Sequence, residues 1–356
     1  MLEKLIQHLV AAQLLDDEQV RLAVDRLADE SVLAHTKADF LTAFAQKGET
    51  SGEIAAFARA LRAKSIVPPI DDETRSREIL DVVGTGGDSL GTINISTTAA
   101  ILCAAAGVTV AKHGNRAVTS QAGSADVLEA LGIKINLSPE EAARSLREHN
   151  FAFFFAPNYH PAFKHISPAR KLCAERGQRT IFNLLGPLLN PARPSAMLMG
   201  VPRPEFCEPL AHVLQSLGVH RAMVVCGDIP ILKSEIRNPK SEMFLDELST
   251  LGENTIAEFY QELGFTVSTT RPDQFPLQPA ALNDLRGGDK NANAKIVREI
   301  LSGQERGPKR DAVLLNAAAA LFVVGKTKSL AEGWDLAGET IDGGRAEKKL
   351  AELSST

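Results

Sequence analysis

The chain has 356 residues, of which 44% are hydrophobic and 23% are charged, and this composition is typical of a globular protein large enough for two domains. The net charge of −5 argues against nonspecific binding to nucleic acid or to an acidic membrane. The apolar stretches 97–111 and 312–324 are shorter than the roughly 18 residues of a membrane span, and the start of the chain has no signal-peptide pattern. The four cysteines have no C-x-x-C spacing, which predicts free thiols in a reducing compartment. We therefore expect a cytoplasmic protein without membrane or nucleic-acid partners.

Residues 1–66 predict only helices, because apolar residues recur there at helical spacing. Thr50 and Glu53 have the spacing of a capping box, which predicts the start of a helix that continues to Arg62. Pro68 and Pro69 end this helical region, and a charged linker follows them. The change of composition predicts a domain boundary at this point.

From residue 79 onwards, strand patterns alternate with helix patterns. We predict strands at 79–83, 108–111, 133–137, 152–155, 196–200 and 222–226, and helices at 98–106, 125–131, 138–148 and 205–217. Segment 156–191 is less regular, with helical pieces at 169–175 and 181–185, and helices return from 292 to 353. This alternation is typical of an α/β domain with a largely parallel sheet, whose ligands bind at the carboxyl ends of the strands.

Two unusual loops follow the first two predicted strands. The first, Gly84-Thr85-Gly86-Gly87-Asp88, leads towards a helix start, where unpaired N–H groups and the helix dipole favour a phosphate. It matches neither G-x-G-x-x-G nor the P-loop pattern, so a tight turn is the alternative on the residues alone. The second, Lys112-His113-Gly114-Asn115-Arg116, contains three potentially cationic side chains. Two such loops at adjacent strand ends predict a ligand with several phosphates.

Several longer motifs have counterparts in a known family. GTGGD, NIST, KHGNRAVTS and GSADVLEALG, in this order and spacing, resemble the anthranilate phosphoribosyltransferase family of the tryptophan pathway. QKGETSGEIAAFARALR, RTIFNLLGPLLNP, NAKIVREILSG and LLNAAAALFVVG resemble further segments of it, so the likeness covers nearly the whole chain. The resemblance implies a small helical domain (1–70, joined by the returning segment 160–191) and a large α/β domain (71–356) of the nucleoside phosphorylase type with a mostly parallel sheet. It also implies a homodimer formed through the helical domain.

The same resemblance implies an activity and a set of donor contacts. The family transfers phosphoribose from phosphoribosyl pyrophosphate to the amino group of anthranilate, with Mg²⁺ as cofactor. The donor would contact the two loops and the helix starts that follow them, at Gly84, Gly87, Asp88, Thr92, Asn94, Ile95, Ser96, Thr97, Lys112, His113, Gly114, Asn115, Ser120 and Ser124. Lys112 would stabilise the leaving pyrophosphate electrostatically, and no nucleophilic side chain is required.

The resemblance also implies the contacts of the acceptor. Anthranilate would contact Gly84, Asn115 and Arg170. The planar, forked guanidinium of Arg170 suits the carboxylate of anthranilate. Arg179 is the alternative arginine, and on the residues alone either one could be a surface side chain. Asn115 could likewise be only a turn residue, since asparagine tolerates a left-handed backbone.

The implied magnesium ligands are Ser96 and the acidic pair Asp246-Glu247. The chain departs from the family just before this pair, because Cys226 stands where the family usually has histidine and a charged insertion occupies 228–244. Either the insertion loops out and the pair returns to the site, or Asp228 takes over part of its role. We expect the first arrangement.

Three other functions share part of this pattern. A pyrimidine-nucleoside phosphorylase has the same fold and a related phosphate loop, but KHGNRAVTS and RTIFNLLGPLLNP fit the transferase better. A non-catalytic, nucleic-acid-binding relative would be expected to lose GTGGD and to have a basic surface. Transfer to another aromatic acid is the third possibility, because the altered region around Cys226 could reshape a pocket.

Overall fold

The computed structural model describes residues 2–86, 90–117, 121–230, 243–260 and 264–355. Its helices are α1 (Leu2–Val10), α2 (Asp17–Ala28), α3 (Ala34–Lys47), α4 (Ser51–Ala63), α5 (Asp72–Arg75), α6 (Ile95–Ala105), α7 (Ser124–Ala130), α8 (Pro139–His149), α9 (Ala156–Tyr159), α10 (Phe163–Glu175), α11 (Phe182–Leu188), α12 (Cys207–Ser216), α13 (Lys290–Leu301), α14 (Pro308–Val323), α15 (Leu330–Asp342) and α16 (Arg345–Leu353). Its strands are β1 (Ile79–Gly84), β2 (Thr109–Gly114), β3 (Phe151–Phe155), β4 (Ala196–Gly200), β5 (Arg221–Ile229), β6 (Met243–Leu245), β7 (Asn254–Tyr260) and β8 (Phe265–Thr270).

The N-terminal helices α1 to α4 pack around a core that contains the rings of Phe40, Phe44 and Phe57. The predicted capping box begins α4, because Thr50 N donates to Glu53 Oε2 (3.0 Å) and Glu53 N donates to Thr50 Oγ1 (3.3 Å). Helix α10, from much later in the chain, joins this core and contacts α2 and α3. The later segment is therefore part of the same helical layer.

The central sheet is mostly parallel, which confirms the predicted fold class. Five parallel strands run in the order β3-β2-β1-β4-β5, and β7 and β8 continue the sheet in antiparallel pairing. Strand β6 pairs antiparallel with residues 227–229 of β5, beyond the part of β5 that pairs with β4. The carboxyl ends of β1, β2 and β4 consequently lie side by side.

Alternating side chains of the strands enter two different cores. Leu80, Val82 and Val110 belong to one core together with α6 and the C-terminal helices. Met197 and Met199 face the other way and belong to the core of the N-terminal helices. Helices α6 and α14 are buried nearly all round, which explains why their sequences are apolar without an amphipathic pattern.

The structure differs from the predicted elements in three respects. The strand predicted at 133–137 is wrong: the segment has no ladder partner among the described strands, and β3 ends the sheet on that side. Ile133 and Ile135 alternate with exposed residues because they pack into the core, and this alternation cannot distinguish packing from strand pairing. Helix α10 begins earlier than predicted and contains Pro168, whereas β6 and β7 were not predicted. None of the helices in the described ranges is long and apolar enough to cross a membrane.

Candidate active site

An acidic turn lies directly over the ends of β1 and β4. Gly84 and Gly200 are the last residues of these strands and pair in register. A Cβ atom on Gly84 would lie 2.8 Å from the backbone oxygen of Asp246, and a Cβ atom on Gly200 would overlap that oxygen. Only glycine permits so close an approach of two backbones. The two glycines therefore allow the turn that contains Asp246 and Glu247 to rest on the strand ends.

The structure places the acidic pair at the glycine loop, which is the return of the pair expected in the first arrangement. Residues 231–242 of the insertion lie outside the described residues. The pair follows β6 immediately, and β6 returns the chain to the sheet after the insertion. The alternative residue, Asp228, lies opposite Phe244 within the pairing of β5 and β6.

Backbone and hydroxyl donors hold both carboxylates. Thr85 Oγ1 donates to Asp246 Oδ2 at 3.0 Å, and Gly86 N donates to the same oxygen. Ser96 N, at the start of α6, donates to Glu247 Oε1 at 3.2 Å. Burial and the neighbouring Asp246 carboxylate raise the pKa of Glu247 well above its ordinary value. Two adjacent carboxylates at this place favour a bound cation.

This donor set fits a magnesium ion. Among the residues that the structure describes, no group of three or more histidine, cysteine, aspartate or glutamate side chains could enclose a metal. Mg²⁺ is commonly bound by one or two carboxylates together with substrate phosphates and water, so Asp246 and Glu247 suffice for it. Ser96 lies beside them at the start of α6.

Lys112 brings a buried ammonium group to the same place. Its side chain is almost fully buried, and its Nζ donates to the backbone oxygen of Val82 at 2.7 Å. Burial lowers the pKa of Lys112, whereas the negative charges of Asp81 and Glu247 oppose this shift. The bond from β2 to β1 also shows that the two loops predicted to share a ligand follow adjacent strands.

Of the three potentially cationic side chains in the second loop, His113 is neutral and Arg116 is paired with carboxylates. His113 follows Lys112 on β2 and therefore points to the opposite face of the sheet, where burial lowers its pKa to about 3. A neutral His113 cannot neutralise a phosphate. The Arg116 guanidinium donates to Asp126 and Glu129 at 2.9 Å each, so its charge is already matched.

A line of rings leads from the end of β2 to Arg170. Ring centroids are 5.3 Å apart for His113 and His160, 5.7 Å for His160 and Phe163, and 5.5 Å for Phe163 and Phe182. Arg170 Cζ lies 5.3 Å from the centroid of Phe182. The sequence analysis did not identify His160, Phe163 and Phe182 as site residues. The available signal was that all three aromatic side chains lie in the returning segment 160–191.

Arg170 is better placed for a carboxylate than Arg179. Its guanidinium is largely buried, burial lowers its pKa, and none of the described residues gives it a hydrogen bond or an ion pair. Arg179, by contrast, is exposed. The structure thus favours Arg170 of the two candidate arginines.

The other expected donor residues lie in two groups near these loops. Thr92, Asn94, Ile95, Ser96 and Thr97 surround the start of α6, and an isolated bridge joins Thr92 to Arg286. Gly114, Asn115 and Ser124 form the second group: Ser124 Oγ donates to Asn115 O at 3.3 Å and lies where a Cβ atom of Gly114 would be. Gly87, Asp88 and Ser120 lie outside the described residues.

Family models cover most of the chain. A model described as "Glycosyl transferase family, helical bundle domain" matches residues 3–65, and one described as "Glycosyl transferase family, a/b domain" matches residues 76–347. The fold and the site therefore define a member of this glycosyl transferase family.

Individual relatives narrow the family further. The chain is 43% identical over 353 residues to the anthranilate phosphoribosyltransferase of Lacticaseibacillus casei (strain BL23), covering 99% of this chain and 96% of the relative. The crystal structure of the enzyme from Thermus thermophilus has 39% identity and a TM-score of 0.84, with 98% of each chain covered. The Saccharomyces cerevisiae enzyme in complex with PRPP and Mg has 26% identity and a TM-score of 0.80, covering 95% of this chain and 92% of the other. Its complex with 4-fluoroanthranilate has 25% identity and a TM-score of 0.83, covering 99% and 96%. The chain belongs to the anthranilate phosphoribosyltransferase family.

Proposed function

We propose that this protein transfers the phosphoribosyl group of phosphoribosyl pyrophosphate to anthranilate, giving N-(5-phosphoribosyl)anthranilate and pyrophosphate in tryptophan biosynthesis. The observation that carries the proposal is the meeting of the acidic turn, the glycine strand ends and the Lys112 ammonium beside the start of α6. The yeast relative of known structure binds PRPP and Mg, which supports the same use of this site.

The donor would bind at the carboxyl ends of β1 and β2. The positive end of the α6 dipole, at the start of that helix, is suited to phosphate oxygens. A bound Mg²⁺, held by Asp246 and Glu247 with Ser96 beside them, would supply positive charge to the pyrophosphate. Lys112 adds a second, fixed positive charge, which becomes more favourable as the leaving group gains negative charge.

The acceptor would bind along the line of rings between His113 and Arg170. Anthranilate is an aromatic ring with one carboxylate, and this line consists of aromatic rings with one unpaired guanidinium among the described residues at its far end. A relative binds 4-fluoroanthranilate, which supports this acceptor class. The neutral amine of anthranilate would attack directly, so that positioning replaces a catalytic base.

We further infer the division into a helical domain (1–70 with 160–191) and an α/β domain (71–356), because α10 packs into the N-terminal helical core. We also infer a cytoplasmic homodimer formed through the helical domain. The apolar side chains Val10, Leu14 and Leu33 of this domain are 75%, 60% and 63% exposed, which supports a partner surface there.

The direct test is an assay of the purified protein with phosphoribosyl pyrophosphate, Mg²⁺ and anthranilate. We expect loss of anthranilate fluorescence together with release of one pyrophosphate for each anthranilate consumed. Omission of Mg²⁺ should abolish both signals. Phosphorolysis of a pyrimidine nucleoside without any consumption of anthranilate would contradict the proposal and favour the phosphorylase.

A further inference from the structure

The side chain of Asn94 does not cap the helix that it precedes. Asn94 is the N-cap residue of α6 but makes no side-chain capping bond. Its Nδ2 donates to the backbone oxygen of Ala122 at 3.2 Å, and its Oδ1 accepts a bond from Asn293 Nδ2 at 2.8 Å. Asn293 Oδ1 in turn accepts a bond from Gly288 N at 2.8 Å. We call these three bonds the amide relay.

The two backbone ends of the amide relay set its direction. The N–H of Gly288 can only donate, so Asn293 presents its oxygen to Gly288 and its NH₂ group to Asn94. The carbonyl of Ala122 can only accept, so Asn94 presents its NH₂ group to Ala122. A flipped Asn94 amide would face oxygen with oxygen at one end and NH₂ with NH₂ at the other. The relay thus selects one orientation of the Asn94 side chain.

The relay joins three segments that are distant in sequence. Residues 285–287 hold the chain before α6, because Ile93 N donates to Leu285 O (3.0 Å) and Gly287 N donates to Gly91 O (2.9 Å). Asn293 lies in α13 and is only 2% exposed, and a Cβ atom on Gly287 would overlap its Oδ1. Ala122 lies just before α7, whose first residue is Ser124.

We propose that Asn293 is a positioning residue for the donor site, acting through Asn94. Because the side-chain oxygen of Asn94 faces Asn293, one N–H of the Asn94 amide group takes no part in the relay. This N–H can donate to a phosphate oxygen of the donor, whereas an amide oxygen in its place could not. Asn293 itself does not touch the donor. The inference rests on the proposed function, because it takes the ligand of this site to be an anionic sugar phosphate.

The test measures the affinity for phosphoribosyl pyrophosphate with Mg²⁺ by calorimetry, together with the steady-state constants for both substrates. Asn293→Asp keeps the acceptor for Gly288 N but removes the donor to Asn94, whereas Asn293→Ala removes both without adding charge. Asn291→Asp is the matched control, because it adds the same charge on the exposed side of the same helix start.

We expect Asn293→Asp to raise the donor dissociation constant roughly tenfold and Asn293→Ala to raise it about threefold or more. Asn291→Asp should change it less than twofold, and the KM for anthranilate should change less than twofold in all three variants. In an Asn94→Ala background, the effect of Asn293→Ala on donor affinity should disappear, because the two residues act as one unit.

Several results would overturn the inference. One is donor affinity within twofold of wild type in both Asn293 variants, with only a lower melting temperature, which is what a merely structural residue would show. Another is an Asn293→Ala effect that persists undiminished beside Asn94→Ala. A wild-type protein that binds the donor but does not consume anthranilate would contradict the proposed function, while the affinities would still decide the role of Asn293. A wild-type protein that does not bind the donor would refute both.

Discussion

Two buried histidines should each destabilise the folded protein in mild acid. His113 and His160 are both 5% exposed, and their Nε2 atoms have no hydrogen-bond partner among the described residues. The other ring nitrogen of His113 faces the backbone carbonyl of Gly186, and that of His160 faces the backbone carbonyl of Leu189. Burial lowers the pKa of His113 to about 3 and that of His160 to about 4. Both rings are consequently neutral in the folded protein throughout the ordinary pH range.

The size of the effect follows from the difference between folded and unfolded pKa values. A histidine in the unfolded chain has a pKa of about 6.5, so its protonation at lower pH favours the unfolded state. Stability is therefore complete above pH ~6.5 and is lost as pH falls towards the folded pKa values. Between pH 7 and 5 each ring accounts for about 2 kcal/mol, or about 4 kcal/mol together.

Asp81 acts in the opposite direction. Burial raises the pKa of its carboxyl group to about 6, so the folded state gains a proton before the unfolded state does. Asp81 therefore adds about 1 kcal/mol of stability over the same range. Glu247, whose pKa is also raised by burial, acts in the same direction, so the contribution of a histidine is measured by comparing variants and not from the total change of the wild type.

The assay is urea unfolding at pH 7 and at pH 5, followed by circular dichroism. His160→Gln removes one titrating ring, and the glutamine side chain can still donate to a carbonyl. Between pH 7 and pH 5 this variant should lose about 2 kcal/mol less unfolding free energy than the wild type. His35→Gln is the control, since His35 is exposed in α3, and it should behave as wild type. A difference below about 0.5 kcal/mol between wild type and His160→Gln would refute the reasoning.

Three further predictions concern the site and the sheet. Gly200→Ala should displace the Asp246–Glu247 turn and lower kcat/KM roughly hundredfold, whereas Gly52→Ala, whose Cβ atom would meet no close neighbour, should leave activity unchanged. Arg170→Ala should weaken anthranilate use by about 2–4 kcal/mol in kcat/KM with little change in donor affinity, and an unchanged KM for anthranilate would contradict this. Its control is Arg176→Ala, whose arginine pairs with Asp39 on the surface. Asp81→Asn should lose about 1 kcal/mol more unfolding free energy than wild type between pH 7 and 5, and an equal loss would show that Asp81 titrates normally.

Local signals in the sequence predicted the elements that depend on only a few neighbouring residues. The predicted capping box at Thr50 begins α4 in the structure, because its bonds join residues only three positions apart. The glycine loop and the start of α6 could also be predicted from the sequence, because strand, glycine and helix signals follow one another there. The segment 133–137 shows the limit, because alternation in one segment does not reveal whether a neighbouring strand exists to pair with it.

The sequence by itself determined the fold class, the two adjacent loops and the residue types of the site. Only the tertiary structure decided that β6 returns Asp246 and Glu247 to the strand ends, that His113 is neutral, and that Asn293 holds Asn94 from 199 positions away. Capping, turns and periodicity are fixed by covalent neighbours, so they can be read along the chain. Burial, charge state and long-range hydrogen bonds depend on which distant residues the folded chain brings together, and they exist only once it has folded.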